Sequence, residues 1–319
     1  MLGTDVTPGF ISKPKLSPGE VARFCVLAVF CLALLEGSAR LAPQISAFLL
    51  SLLVTDPSEP GTIACFFILP FIQLSLFNTV FTLFEVAEPR DRFRLSGIWS
   101  SYATNMLYLM IFLAAAVPAV LAAGAWADSI GIKPLLRPDI LPQIQIVYPF
   151  LYVFIFDFFY YWFHRYSHKF SSLWRYHSVH HAIENLSSWN SYHHWSEEYL
   201  RLLAVTLPVV MLVQPSTEKV FLVSAFVAAW GQYIHTSAKR LSLPRFARRF
   251  FADNVYHHYH HSMEKAHHDK NFATFFPFWD WLFGTQYLPP DDVLPRTGIA
   301  GQPPVQSVTD YVVRPFTMK

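Results

Sequence analysis

Fourteen histidines lie between His164 and His268, and the rest of the chain has none. Eight of them fall into three clusters with repeating spacing: HRYSH, with His164 and His168; HSVHH, with His177, His180 and His181; and HHYHH, in which His257, His260 and His261 repeat the H-x-x-H-H pattern. On a helix, positions i, i+3 and i+4 share one face, so each triplet aims three imidazoles in one direction. Neutral imidazole is the commonest biological metal ligand. Eight of them exceed the four that one tetrahedral zinc takes, so two metals are the natural count. An all-imidazole set suits iron or zinc, and ligand type alone does not choose between them.

Asp157 precedes His164 by seven residues and shares its helix face, at the end of an apolar run where an ionisable group is costly and usually functional. Its expected role is to accept the N–H of a ligating imidazole, which fixes the tautomer and raises ligand basicity.

The elements that carry these residues read as membrane helices. Of 319 residues, 53% are hydrophobic and 17% aromatic, and only 14% are charged, against about 25% in a soluble domain. A mean hydropathy of +0.30 agrees, and a cytosolic globular protein is excluded. The net charge of +2 provides no basic field for nucleic acid. Cys25, Cys31 and Cys65 lie in apolar stretches with no C-x-x-C pair, which argues against disulfides and thiolate metal sites.

Residues 61–84, 95–127 and 140–156 carry no charge, and the last run continues past Asp157 to Phe163. Each is long enough for the roughly 20 residues that a membrane helix needs. An earlier stretch, Phe24–Leu35 and then Ser46–Val54, is broken by Glu36, Arg40 and Pro43 and reads as one crossing with an interfacial piece or two short crossings. Lys13, Lys15 and Arg23, then Arg90, Arg92 and Arg94, place the N-terminus and that loop in the cytoplasm. The 140–163 helix then runs inward and delivers His164 to the cytoplasmic side. Two shorter runs, 202–217 and 220–234, read as a hairpin dipping into the membrane. The chain thus divides into a polar tail (1–19), membrane helices (20–163), a histidine-bearing catalytic region (164–288, with the hairpin at about 200–235) and an irregular Pro-rich tail (289–319).

The stretches DFFYYWFHRYSH, WRYHSVHH, YHHYHHS and NFATFFPFWDWLFGT together resemble the fatty acid hydroxylase/sterol desaturase superfamily over roughly residues 145–286. The resemblance implies an all-α fold of integral membrane helices with a cytoplasmic histidine-rich cap, holding two non-haem iron ions. Such enzymes use O2 and two external electrons to hydroxylate or desaturate a lipid. By position, the eight clustered histidines match the motif ligands, and His235, in WGQYIHTS, matches a further family histidine. His194, in HHWSEE, resembles the histidine of an H-P-x-E stretch with Trp195 in place of proline, and Glu197 would sit behind the ligands. Asn271, Trp279, Asp280 and Gly284 match a closing motif as scaffold, and Ala273 stands where that motif commonly has glycine.

No G-x-G-x-x-G dinucleotide fingerprint is present, so the resemblance implies a separate cytochrome b5-like or ferredoxin-type donor. Lys169, Arg175 and the Arg245–Arg249 stretch are candidates to dock it. The aromatics of 148–163 are candidates to line an apolar slot for a lipid tail. Sterol and fatty-acyl lipids are both open as substrates, and the compartment would be the endoplasmic reticulum in a eukaryote or the inner membrane in a bacterium. The rival readings are a membrane zinc hydrolase, which lacks an H-E-x-x-H here, and a metal-handling membrane protein, whose ligands would lie near the bilayer midplane on several spans.

Overall fold

The computed structural model describes residues 75–87, 98–136, 147–213, 217–305 and 307–317. The expectations for the N-terminal tail, the broken 24–54 stretch, the arginine loop at 90–94 and the first parts of the 61–84 and 140–163 runs lie outside these residues. The described part is helical, and two isolated bridges are its only extended pairings: Leu136 with Val213, and Ser262 with Thr297.

Helix α1 covers residues 75–86. Helix α2, Ile98–Ser129, is charge-free until Asp128, and α3, Tyr148–Lys169, starts with Pro149 in its first turn, where a missing N–H costs nothing. Phe170 takes an extended backbone and breaks the chain into α4, Ser171–His181. Helix α5, Trp195–Arg201, passes through a π-helical stretch, Leu202–Thr206, into α6, Leu207–Leu212. Pro208 accounts for that widening: it has no N–H for the i−4 carbonyl and its ring crowds the preceding turn. Helix α7 is Thr217–His235; then follow α8, Asn254–His260, α9, Phe278–Leu282, and α10, Val308–Thr317.

The described parts of the expected spans over 95–127 and 140–163 are thus helices. Among the described residues, however, no helix is long and apolar enough to cross a membrane. The 289–319 segment is irregular only in part: α10 docks on α4 and α2 and buries Tyr311. Its pattern, VTDYVVRPFT, puts Tyr311 and Arg314 on one face, and Arg314 donates to the carbonyls of Pro303 and Pro304.

One aromatic core packs α3 against the segment that leads into α9, through Tyr161, Phe272, Phe275, Phe276 and Trp279. A second joins Val179, Ile183 and Tyr192 to Tyr311. The histidines sit between these two cores.

Candidate metal centre

Nine imidazoles converge in two groups. His164 and His168 from α3, His177 and His181 from α4, and His260 from α8 form one; His180 from α4, His235 at the end of α7, and His257 and His261 at the end of α8 form the other. The two H-x-x-H-H motifs are used reciprocally. In α4 the outer pair, His177 and His181, enters the five-histidine group and His180 enters the other. In α8 the outer pair, His257 and His261, enters the four-histidine group and His260 enters the first. Adjacent residues on a helix point about 100° apart, which is how neighbours such as His180 and His181 serve different groups.

Hydrogen bonds on the far side of each ring set its tautomer. Nδ1–H of His164 donates to the Phe272 carbonyl at 2.7 Å, that of His260 to Lys270 at 2.7 Å, and that of His180 to Tyr192 at 3.0 Å. His235 Nδ1–H donates to Gly231 O one turn back. His177 Nδ1–H donates to Glu197 Oε1 at 2.9 Å, and His168 Nδ1 lies 3.5 Å from Asp269. A ring nitrogen facing a carbonyl must be its protonated one, which leaves a lone pair on Nε2.

Those Nε2 atoms face one another. His180 and His235 both spend Nδ1–H on carbonyls, yet their Nε2 atoms are 3.2 Å apart, so two lone pairs are held face to face. The other close pairs are His168–His181, 3.0 Å; His177–His181 and His181–His260, 3.1 Å; His235–His257, 3.0 Å; and His257–His261, 3.1 Å. Bonds of about 2.1 Å to one ion would place neighbouring nitrogens about 3.0 Å apart in an octahedron and about 3.4 Å apart in a tetrahedron. The observed spacing fits a metal-bound set, and a cation between the lone pairs removes their repulsion.

Electrostatics agree. Burial, and then the neighbouring imidazoles, hold His164, His177, His181, His257 and His261 well below the ordinary 6.5. His180 and His260 are pushed the same way, and burial lowers His235 to about 3. These rings are neutral at physiological pH, the state in which imidazole ligates.

The remaining expected residues fall elsewhere. His194 lies in neither group. It caps α5, its Nδ1 facing Ser196, while Nε2–H donates to Val312 O at 3.2 Å, so both ring nitrogens are engaged. Its neighbour His193 is the one that turns inward: it stacks on His180 with ring centroids 3.9 Å apart and approaches Glu197 Oε1 at 3.3 Å. Glu197 thus contacts both His177 and His193, and the three form a smaller group of possible ligands.

Asp157 meets no imidazole. Its oxygens accept the backbone N–H groups of Thr274, Phe275 and Phe276 at 2.7–3.1 Å. Seven residues return it to the face of His164 but place it about 10 Å lower along the axis, too far to reach that ring. Asp280 works on the adjoining residues, accepting from the N–H groups of Phe272 and Ala273, from Tyr256 Oη and from Thr285 Oγ1. Together the two carboxylates hold the segment whose Phe272 carbonyl orients His164. Asn271, in the left-handed region (φ 59°), starts that segment and ties it to Tyr256 and Tyr287. Gly284 (φ 75°) ends it, in a conformation glycine adopts without strain.

Two carboxylates went unmarked in the sequence reading. Asp253 caps α8 through Tyr256 N and pairs with Arg248. Arg248, expected on a docking surface, is therefore buried, whereas Lys169 and Arg175 are exposed. Glu85 of α1 is also fully buried. The signal available for it was an ionisable residue closing a long apolar run.

An apolar groove of about 370 Å³ runs beside α3, lined by Phe154, Ile155, Phe158 and Phe159 together with Leu135, Leu136, Leu212 and Trp279. Phe158 points about 120° around the helix from His164, so the groove does not open onto the imidazoles along that face. Tyr160, its ring 5.4 Å from that of His164, links the aromatic wall to the metal-binding groups.

Residues 149–285 match the model of the fatty acid hydroxylase family. The chain is 29% identical over 150 residues to a Rhizobium tropici protein named ornithine lipid hydroxylase OlsE, a match covering 46% of this chain and 44% of that protein. The chain therefore spans less than half the length of that relative. No solved structure matches.

Proposed function

We propose that the chain, whose residues 149–285 match the fatty acid hydroxylase family, is a membrane-associated oxidoreductase that hydroxylates a lipid C–H bond at a pair of iron ions. The observation that carries this reading is the two sets of Nε2 lone pairs, His180 facing His235 above all, at separations suited to a metal. His164, His168, His177, His181 and His260 would hold one ion and His180, His235, His257 and His261 the other.

When bound, the irons would supply O2 activation, and the balance of a hydroxylation is one O2, two electrons and two protons consumed per C–OH and water formed. The chain's own residues hold the imidazoles in the ligating tautomer, through the carbonyls of Phe272, Lys270, Tyr192 and Gly231 and through Glu197. Burial of all but the edge of the centre excludes bulk water. The electrons would come from a separate cytochrome b5-like or ferredoxin-type donor, and Lys169 and Arg175, exposed beside the five-histidine group, suit an acidic one.

Membrane association is supported by apolar side chains left in the open, including Leu83 at 70% exposure, Leu135 at 69% and Leu203 at 62%. The name of the bacterial relative makes amino-acid-headed polar lipids the first substrates to test. Against a zinc hydrolase, the five- and four-histidine groups are all imidazole, and Glu197, which groups with His177 and His193, is engaged in accepting from His177 Nδ1–H.

The test is a whole-lipid mass comparison of cells expressing the wild type or His260→Ala, with a redox donor supplied. A species found only with the wild type and heavier by one oxygen supports hydroxylation. One lighter by two hydrogens makes the chain a desaturase. No difference in the native organism overturns the oxygenase reading.

A further inference from the structure

Glu85 is a fully buried carboxylate whose hydrogen bonds go to two distant turns. Oε1 accepts from Ser188 N at 3.0 Å, Thr236 Oγ1 at 2.8 Å and Ser237 N at 2.9 Å, and Oε2 accepts from Ser188 Oγ at 3.0 Å. A buried charge is costly unless it is well hydrogen-bonded, and donors of this kind meet that cost. Thr236 and Ser237 directly follow His235. The same turn is gripped from its other side by Asn254, which donates to the carbonyls of Thr236 and Ala238 at 3.2 and 2.9 Å and opens the helix that carries His257 and His261. Ser188 lies in the loop between His180 and Tyr192, whose carbonyl orients His180.

All four members of the smaller histidine group are thus tied, directly or through Asn254, to what Glu85 holds. None of its hydrogen bonds reaches the 270–280 segment that orients the larger group. Glu85 also lies outside the 149–285 region that matches the family. We propose that Glu85 is the positioning residue of the four-histidine group: it sets the His235 turn and the His180 loop at the separation one ion requires, and its loss empties that group while sparing the other. This inference rests on the two-ion reading above.

The experiment counts ferrous iron bound per chain after anaerobic reconstitution of the full-length protein in detergent, with helicity followed by circular dichroism. The wild type should hold two ions and Glu85→Ala one. Adding His164→Ala to Glu85→Ala should remove the remaining ion, whereas adding His257→Ala should not. Glu85→Gln should recover most of the second ion, since its amide oxygen can replace Oε1 and its N–H can donate to Ser188 Oγ. Should Glu85→Ala not fold, Thr236→Val removes one donor and leaves the carboxylate. One of its two ions should then yield to chelator at roughly tenfold lower concentration, with the other unchanged. Two tightly held ions in Glu85→Ala, or in Thr236→Val if that variant carries the test, would overturn the proposal. So would loss of both ions from a Glu85→Ala chain that stays helical. A folded wild type that binds no iron would instead refute the two-ion reading itself.

Discussion

The two histidine groups are built from the same motif but supported differently. The five-histidine group takes its orientation from the 270–280 segment, which is held by Asp157 and Asp280 and presents Phe272 O to His164 and Lys270 O to His260. The four-histidine group leans on Gly231 and Tyr192 carbonyls and on a turn fastened by Glu85, 150 residues earlier in the chain. One group is oriented by a segment that follows the last motif, the other by the docking of a helix that precedes them all. Damage to either support should therefore be felt at one ion first.

The largest effects are expected from the ligands. His181 Nε2 lies within 3.1 Å of the corresponding atoms of His168, His177 and His260. His181→Ala should abolish lipid turnover and remove the five-histidine ion, and His257→Ala should do the same for the other ion. Equal loss of both ions in both variants, by metal analysis, would break the distinction. Next comes Asp157→Ala, which strands three backbone N–H groups. It should lower unfolding free energy by at least about 3 kcal/mol, measured by denaturant titration, and weaken the five-histidine ion before the four-histidine one. Glu197→Gln leaves the fold intact and loosens only the orientation of His177. A loss of about 10–100-fold in metal affinity or turnover is expected, read by chelator competition. His194→Ala should cost about 1 kcal/mol of stability as a lost helix cap with both ions retained, and a missing ion there would return His194 to the ligand set.

Much of the centre is legible in the sequence because its logic is helical. The spacing of His177, His180 and His181, and of His257, His260 and His261, is enough to place three rings on one side of a helix. It does not reveal that each triplet is divided between two groups, because that division depends on the angle at which α4 and α8 meet. Sequence alone does not tell that His193 rather than His194 turns towards His180, since neighbouring residues at a helix start differ only in which way the chain turns. Asp157 has the right face and the wrong height: periodicity gives rotation about an axis, while reach depends on rise along it. Glu85 is the least legible, as its partners at 188 and 236–237 are brought to it only by tertiary packing. The final helix, Val308–Thr317, was obscured by the prolines before it, although Tyr311 and Arg314 already marked an inner face.

The reciprocal use of α4 and α8 has a consequence for how this chain can change length. Within either H-x-x-H-H motif, inserting or deleting one residue turns everything beyond it by about 100° and would send histidines to the wrong partners in both groups together. The connections at 182–192 and 236–253 carry no such unit of measure, and they can lengthen or shorten as long as Ser188, Tyr192, Thr236, Ser237 and Asp253 keep their places. Natural variation in size should accordingly collect between the motifs, and the motifs themselves should behave as pieces of fixed gauge.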